Sequence, residues 1–337
     1  MEPEEFWSSP LYRHLSAVVA EDEFLVEVAA HARSGQGPTF AFFGAVHAIL
    51  LSGAPDPLAG YYPSLMGDSA RAPDSAAGAA LVDFVRRFRP RLEAILETRL
   101  VQTNHVQRAM GLRLGLAAIA PLVGSRPVHL LEVGSSAGLV LRHAAYGYHL
   151  GGDSYGEAAS PIQLTTEWRS DTTPPNLDAI PTVASLTGID LNPLDPTDEA
   201  DRLWLEALVW PENRAQTQLM QAALALAAAL PVPVLAGDAI DRCPDWGQSV
   251  PTGEVRVVFH CATRMHVPPE LVDQFDAAIT QLGHDGPLYR IAIDGDGLCI
   301  THPSGDSDTP FDVDGHLAWA QPRTRTAGRC QLHRRWR

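Results

Sequence analysis

The stretch Glu132-Val133-Gly134-Ser135-Ser136-Ala137-Gly138 closes a short apolar run at 128–133 and leads into helix-compatible residues at 139–145. A strand, a tight turn and a helix in that order carry a carboxylate and open backbone N–H groups to one edge of a sheet, where an anionic group can dock. Gly134 lets the chain turn sharply, and Gly138 lets the helix pack close to the strand. The turn is not a dinucleotide fingerprint. That pattern, begun at Gly134, needs glycine where Ser136 stands and a small residue where Leu139 stands.

Two further apolar runs end in acid. Gly188-Ile189-Asp190-Leu191-Asn192-Pro193 puts a carboxylate where a ribose diol can be held by two acceptor oxygens, and Gly237-Asp238-Ala239 adds another. Ligands of open α/β sheets bind beyond the carboxyl ends of the strands. Three acids at successive strand ends suit a ligand bearing a sulfonium and an ammonium in a partly buried crevice. S-adenosylmethionine is therefore the expected cofactor, held by Glu132, Gly134, Ser135, Ser136, Gly138, Asp190, Leu191, Asp238, Ala239 and His260. The competing reading is that Asp190 and Asp238 only cap a loop and a helix.

A fourth run, Val257-Val258-Phe259-His260-Cys261, precedes Ala262-Thr263-Arg264-Met265-His266-Val267-Pro268-Pro269-Glu270. Methyl transfer is an in-line displacement, so the protein mainly positions the reactants and can add a base. His266 and His260 are the candidate bases, each weighed against a packing role. Cys261 as nucleophile is disfavoured, since adjacent strand residues point to opposite faces. His302 and His316 have no metal-ligand spacing with another donor, so no metal is expected.

These groups need a scaffold. Apolar runs at 128–133, 183–189, 232–236, 255–259 and 288–293 read as a mainly parallel sheet. Ahead of it, residues 1–122 read as a helical lobe with apolar positions at helical spacing in 17–31, 40–51 and 81–100. Its interruption at 52–78 is rich in Gly, Pro, Ser and Asp, and reads as a covering loop. The α/β domain is expected over 123–320, with a β-hairpin insertion at about 146–181 that could serve substrate or homodimer contacts. Residues 321–337 form a basic tail, read as solvated. Trp204, Trp210 and the alanine-rich 221–230 read as the core face of a helical link.

A formal net charge of −15 makes nucleic acid a poor partner. All 25 basic residues are arginine, which rules out Schiff-base and phosphate-loop lysine chemistry. Cys243, Cys261, Cys299 and Cys330 form no C-x-x-C pair and read as reduced thiols. No run approaches a membrane span, and the acidic start Met1-Glu2-Pro3-Glu4-Glu5 is unlike a secretory signal, so a cytoplasmic protein acting on a small molecule is expected.

The chain resembles the bacterial domain-of-unknown-function family 2332 over nearly its whole length. The resemblance is carried by Ser9-Pro10-Leu11-Tyr12, Tyr61-Tyr62-Pro63-Ser64-Leu65, Gln102-Thr103-Asn104, the 132–139 turn, 188–193, Leu208-Val209-Trp210-Pro211, Gly237-Asp238-Ala239 and Val257-Val258-Phe259-His260. It implies a helical N-terminal region joined to a Rossmann-like, class I methyltransferase-type domain. The segment after His260 also looks like the fourth-strand region of small-molecule methyltransferases, without the Asn/Asp-Pro-Pro-Tyr motif of nucleobase methylation. The chain departs from the family pattern at His105, Cys261 and His266, where the resemblance implies an acidic residue, serine and tyrosine. If those positions face the acceptor, its chemistry has changed. A methyltransferase is the leading expectation; a non-methyl use of the cofactor and a non-catalytic nucleoside-binding protein are the alternatives. The polar tract 102–108 reads either as crossing the cofactor pocket or as a solvated helix face.

Overall fold

A computed structural model describes residues 8–102, 104–168, 173–294 and 297–301. Thr103, His302, His316, Cys330 and the tail at 321–337 lie outside the described residues. The chain divides into two compact units, one drawn from Met1–Asn104 and Asp195–Ala225, the other from His105–Leu194 and Leu226–Arg337. The division therefore falls well before the boundary expected near 122. Helix Arg108–Val123 is the reason: Ala109 through Ile119 are all buried, so it is a core helix that the sheet must cover.

In the first unit, helices Pro10–Glu21, Glu23–Ala29, Pro38–Leu51, Ser75–Thr98 and Glu199–Ala207 surround a core containing Leu15, Phe42, Phe43, Phe84 and Leu92. Ser9 starts the first helix as its N-cap, accepting from the Tyr12 N–H at 3.1 Å, and Pro10 takes the position where no N–H is missed. The 52–78 interruption is not a free loop. It folds into short turns at Pro57–Tyr61, Pro63–Met66 and Gly67–Ser69, with Tyr61 and Tyr62 buried in the core. Trp204 is buried, and its indole N–H donates to the Leu100 carbonyl at 2.8 Å.

The second unit is mixed α/β. Its main sheet comprises β1 (Val128–Val133), β5 (Val183–Asp190), β6 (Val234–Ala236), β7 (Val255–Cys261), β8 (Leu288–Asp294) and β9 (Gly297–Thr301), in the order β6-β5-β1-β7-β8-β9. The first five in that order are parallel and β9 is antiparallel to β8. Each expected apolar run is thus a strand. Helices Ala239–Ser249 and Val272–Gln281 contribute Trp246, Phe275 and Ile279 to a core with Leu131, Val133 and Val258. Helix Arg108–Val123 packs on β8 through glycines: a Cβ on Gly111 would lie 2.2 Å from Ile293 Cδ1, and one on Gly115 would lie 2.5 Å from Ile291 Cγ2.

The insertion is a small sheet, β2 (Gly147–Leu150), β3 (Asp153–Gly156) and β4 (Gln163–Thr166), ordered β3-β2-β4. The hairpin is β2–β3, while β4 pairs with β2 in parallel. Among the described residues, no helix is long and apolar enough to cross a membrane.

Candidate functional site

Strand order reverses direction between β1 and β7: the chain moves from β1 outward to β5 and β6, then returns to β7 on the other side. Such a switch point opens a crevice at the carboxyl ends of the strands. Glu132 and Gly134 stand at the end of β1, Asp190 closes β5, Asp238 follows β6, and His260 and Cys261 close β7.

Gly134 has φ +75°, and a Cβ there would lie 2.3 Å from Thr263 Oγ1. That hydroxyl crosses from the segment after β7 to donate to the Val133 carbonyl at 3.0 Å, so the two sides of the switch point are tied together beneath the turn. Ser136 adopts φ +52°, a left-handed conformation costly for a residue with a side chain. It is held there by Asp190, whose Oδ2 accepts from the Ser136 N–H at 2.7 Å while Oδ1 accepts from the Asn192 N–H at 2.8 Å.

The turn does not lead into the expected α-helix. Residues Val140–Ala145 form a six-residue 3₁₀ segment with a break at Arg142, too short to offer an anion the field of an α-helix. The guanidinium of Arg142 organises this region instead. It donates to Ala137 O at 2.9 Å, Gly138 O at 2.6 Å, Leu230 O at 2.8 Å and Ala227 O at 3.2 Å. The last two acceptors end helix Arg214–Ala229, where a cation is favoured by the open carbonyls.

Glu132 is 4% exposed and its Oε2 has no hydrogen-bond partner. Burial pushes its carboxyl well above the usual range, opposed by the charges of Arg108 and Arg142 and reinforced by that of Asp190. Ser136 Oγ is likewise buried without a partner. Buried polar atoms are nearly always bonded, and these two unpartnered ones stand together at one strand end. Ser135 is buried, its hydroxyl near the Ile189 carbonyl at 3.4 Å. Leu191, 72% exposed, presents an apolar side chain beside Asp190.

Asp238 has a structural role. It is the N-cap of helix Ala239–Ser249, accepting from the Ile240 N–H at 2.8 Å, with Ala239 as first helical residue. Asp238→Ala should cost about 1 kcal/mol and Asp238→Asn almost nothing. Urea unfolding of the two variants checks this, since equal losses would mean that the carboxylate stabilises by charge rather than as a cap.

His260 is 0% exposed and its Nε2 accepts from Arg290 Nε at 2.9 Å. The neutral ring therefore carries its proton on Nδ1, which faces Asp294 Oδ2 at 3.7 Å. Burial and the Arg290 charge push its protonation well below the ordinary imidazole range. With its lone pair already engaged, His260 is poorly suited to accept a substrate proton, contrary to the expectation from its position. Arg290 also contacts Asp276 at 2.8 Å, and Arg264 pairs with the same carboxylate at 2.7 Å. His266 is exposed on the 3₁₀ turn Arg264–His266 and remains the accessible histidine of the two. Burial pushes the Cys261 thiol up to about 11, which makes it a poor nucleophile at neutral pH.

Arg108, Arg142, Thr263, Arg290 and Asp294 were not singled out by the sequence as site residues. Only Arg108 carried a signal, as the end of the polar tract at 102–108. No curated protein matches the chain. A family profile described as "Uncharacterized protein conserved in bacteria (DUF2332)" matches residues 2–337, and the chain belongs to that family.

Proposed function

We propose that the α/β unit is a Rossmann-like, class I methyltransferase-type domain that binds S-adenosylmethionine at the carboxyl ends of β1, β5 and β7 and transfers its methyl group to a small-molecule acceptor. The observation carrying this reading is the pair of orphaned, buried polar atoms, Glu132 Oε2 and Ser136 Oγ, at the strand end where the sheet order reverses. When bound, the cofactor supplies a methyl group on a positively charged sulfur.

The chain's own residues would then divide the work. Glu132 accepts from the ammonium, whose charge offsets the cost of ionising a buried carboxyl. Asp190 anchors the turn by two backbone N–H groups, and its carboxylate at the end of β5 is the acceptor placed for ribose hydroxyls. Leu191 offers an apolar face to the base. The backbone at Gly134, Ser135 and Gly138 lines the ligand's amino-acid end, the two glycines letting Thr263 and Arg142 pack close beneath the turn. Asp238 and Ala239 shape the adjoining wall as a capped helix start. His266 is the accessible candidate for taking a proton from the acceptor, and His260 is a fixed part of the wall. That the more buried histidine is locked favours one alternative, a non-catalytic protein that holds the cofactor.

Calorimetric titration with S-adenosylmethionine and S-adenosylhomocysteine tests the reading. Binding of both is expected, weakened about tenfold or more in Glu132→Gln, because a hydrogen bond to a charged group is lost. Absence of heat from either ligand on folded protein overturns it.

The same variant gives a stability prediction. Below the ordinary glutamate value of about 4.3 both folded and unfolded chains hold the proton, so the residue adds no pH dependence. As pH rises from there to the elevated folded value, the unfolded chain ionises first and stability is lost. Without ligand, Glu132→Gln should therefore be more stable than the parent at pH 7 by on the order of 1 kcal/mol, the gap closing near pH 4. Thermal unfolding across pH 4–7 measures it; a variant less stable at neutral pH would contradict the buried-acid account.

A further inference from the structure

Arg108 opens helix Arg108–Val123, and the packing of that helix fixes where its first turn lies. Gly115 sits against Ile291 and Gly111 against Ile293, so moving toward the helix start is moving toward the carboxyl end of β8. Arg108 is three residues further on, about 4.5 Å along the axis at 1.5 Å per residue, while β8 has only Asp294 left. The Arg108 backbone therefore stands at or beyond the strand ends, on the rim of the crevice.

Its charge acts on Glu132 and on Cys261, at the ends of β1 and β7. Arg108 is half-buried, yet among the described residues its guanidinium makes no hydrogen bond and no ion pair. A guanidinium has five donors, and none of those of Arg108 is among the buried unpartnered atoms, so they are open to solvent and to a ligand. Glu132 Oε2, within reach of its field, is also unpartnered. A cation and an acid that are electrostatic neighbours, but do not bridge to each other, complement a ligand group with an acceptor anion and a donor cation of its own. An α-amino acid headgroup is such a zwitterion.

We propose, resting on the cofactor reading above, that Arg108 receives the α-carboxylate of the cofactor's amino-acid end while Glu132 receives its ammonium. Arg108, the last residue of the polar tract, is then a binding residue rather than part of a solvated helix face. An amino-acid acceptor could present the same headgroup, so the test separates the two sources.

The full-length chain is titrated with S-adenosylhomocysteine and with 5′-methylthioadenosine, which lacks the amino-acid end, using the parent, Arg108→Met and Arg108→Lys; thermal unfolding checks that each is folded. The parent should bind S-adenosylhomocysteine at least about tenfold more tightly than methylthioadenosine. Arg108→Met should remove most of that advantage while leaving methylthioadenosine binding unchanged, and Arg108→Lys should fall between. A folded Arg108→Met that binds S-adenosylhomocysteine like the parent overturns the assignment, including the case in which Arg108 serves an acceptor's carboxylate. Should the parent bind neither nucleoside, the cofactor reading fails and this inference with it; binding of both with no dependence on Arg108 defeats the inference alone.

Discussion

Gly134→Val should destabilise the α/β unit by about 4 kcal/mol, enough to unfold a marginal domain. Two costs combine. The position has φ +75°, which for a β-branched residue is strained by about 1–2 kcal/mol or more. The new side chain also begins 2.3 Å from Thr263 Oγ1 and 2.9 Å from its Cγ2, distances no packed atoms tolerate. Thr263 would have to give up its bond to the Val133 carbonyl, loosening the tie between β1 and the segment after β7. Gly134→Ala shares the first cost and most of the second, so it should fall between parent and valine. Urea midpoints at constant slope measure the series, and a valine variant as stable as the parent would mean that the turn is not built as described.

Arg142→Met is expected to be as damaging, at about 3–5 kcal/mol. The guanidinium is buried and satisfies carbonyls from two places at once, Ala137 and Gly138 at the turn and Ala227 and Leu230 at a helix end. Burial lowers its affinity for the proton, with the neighbouring Tyr146 and Glu132 opposing that, and the carbonyl cage provides the solvation that water otherwise would. Methionine replaces the alkyl stem but carries no donor, so the carbonyls at both places lose a partner. Lysine can reach only some of them and should recover part of the loss. Because the turn and the helix end are then untied, amide exchange should rise at 137–139 and 227–230 together. A rise at one place alone would show that Arg142 is not their common link.

Much of this architecture is written in short-range patterns. The strands at 128–133 and 255–261 are largely apolar runs of the kind buried parallel strands show, broken by His129, Glu132, Arg256 and His260, and Gly134 marks the turn because only glycine takes that backbone conformation cheaply. The acids at 132, 190 and 238 were legible as strand-end groups, but their partners were not. Whether Asp238 faces a ligand or caps a helix depends on where the chain goes next, and Asp–Ala–Ile is compatible with both. Helix Arg108–Val123 reads like any apolar helix. Its place in the α/β unit depends on Gly111 and Gly115 fitting Ile293 and Ile291, a complementarity between segments about 180 residues apart in sequence that no local pattern carries. The locking of His260 by Arg290 is of the same kind: the two occupy adjacent strands, β7 and β8, and only their pairing brings guanidinium and ring together.

Hydrogen–deuterium exchange of the full-length chain, with and without saturating S-adenosylhomocysteine, tests most directly whether the carboxyl ends of β1, β5 and β7 form the binding crevice for a nucleoside cofactor. Slowed exchange is expected at 134–139 and 190–192, with the first helical turn from 108 protected as well. Slowed exchange confined to Met1–Asn104, or no change anywhere, would contradict it.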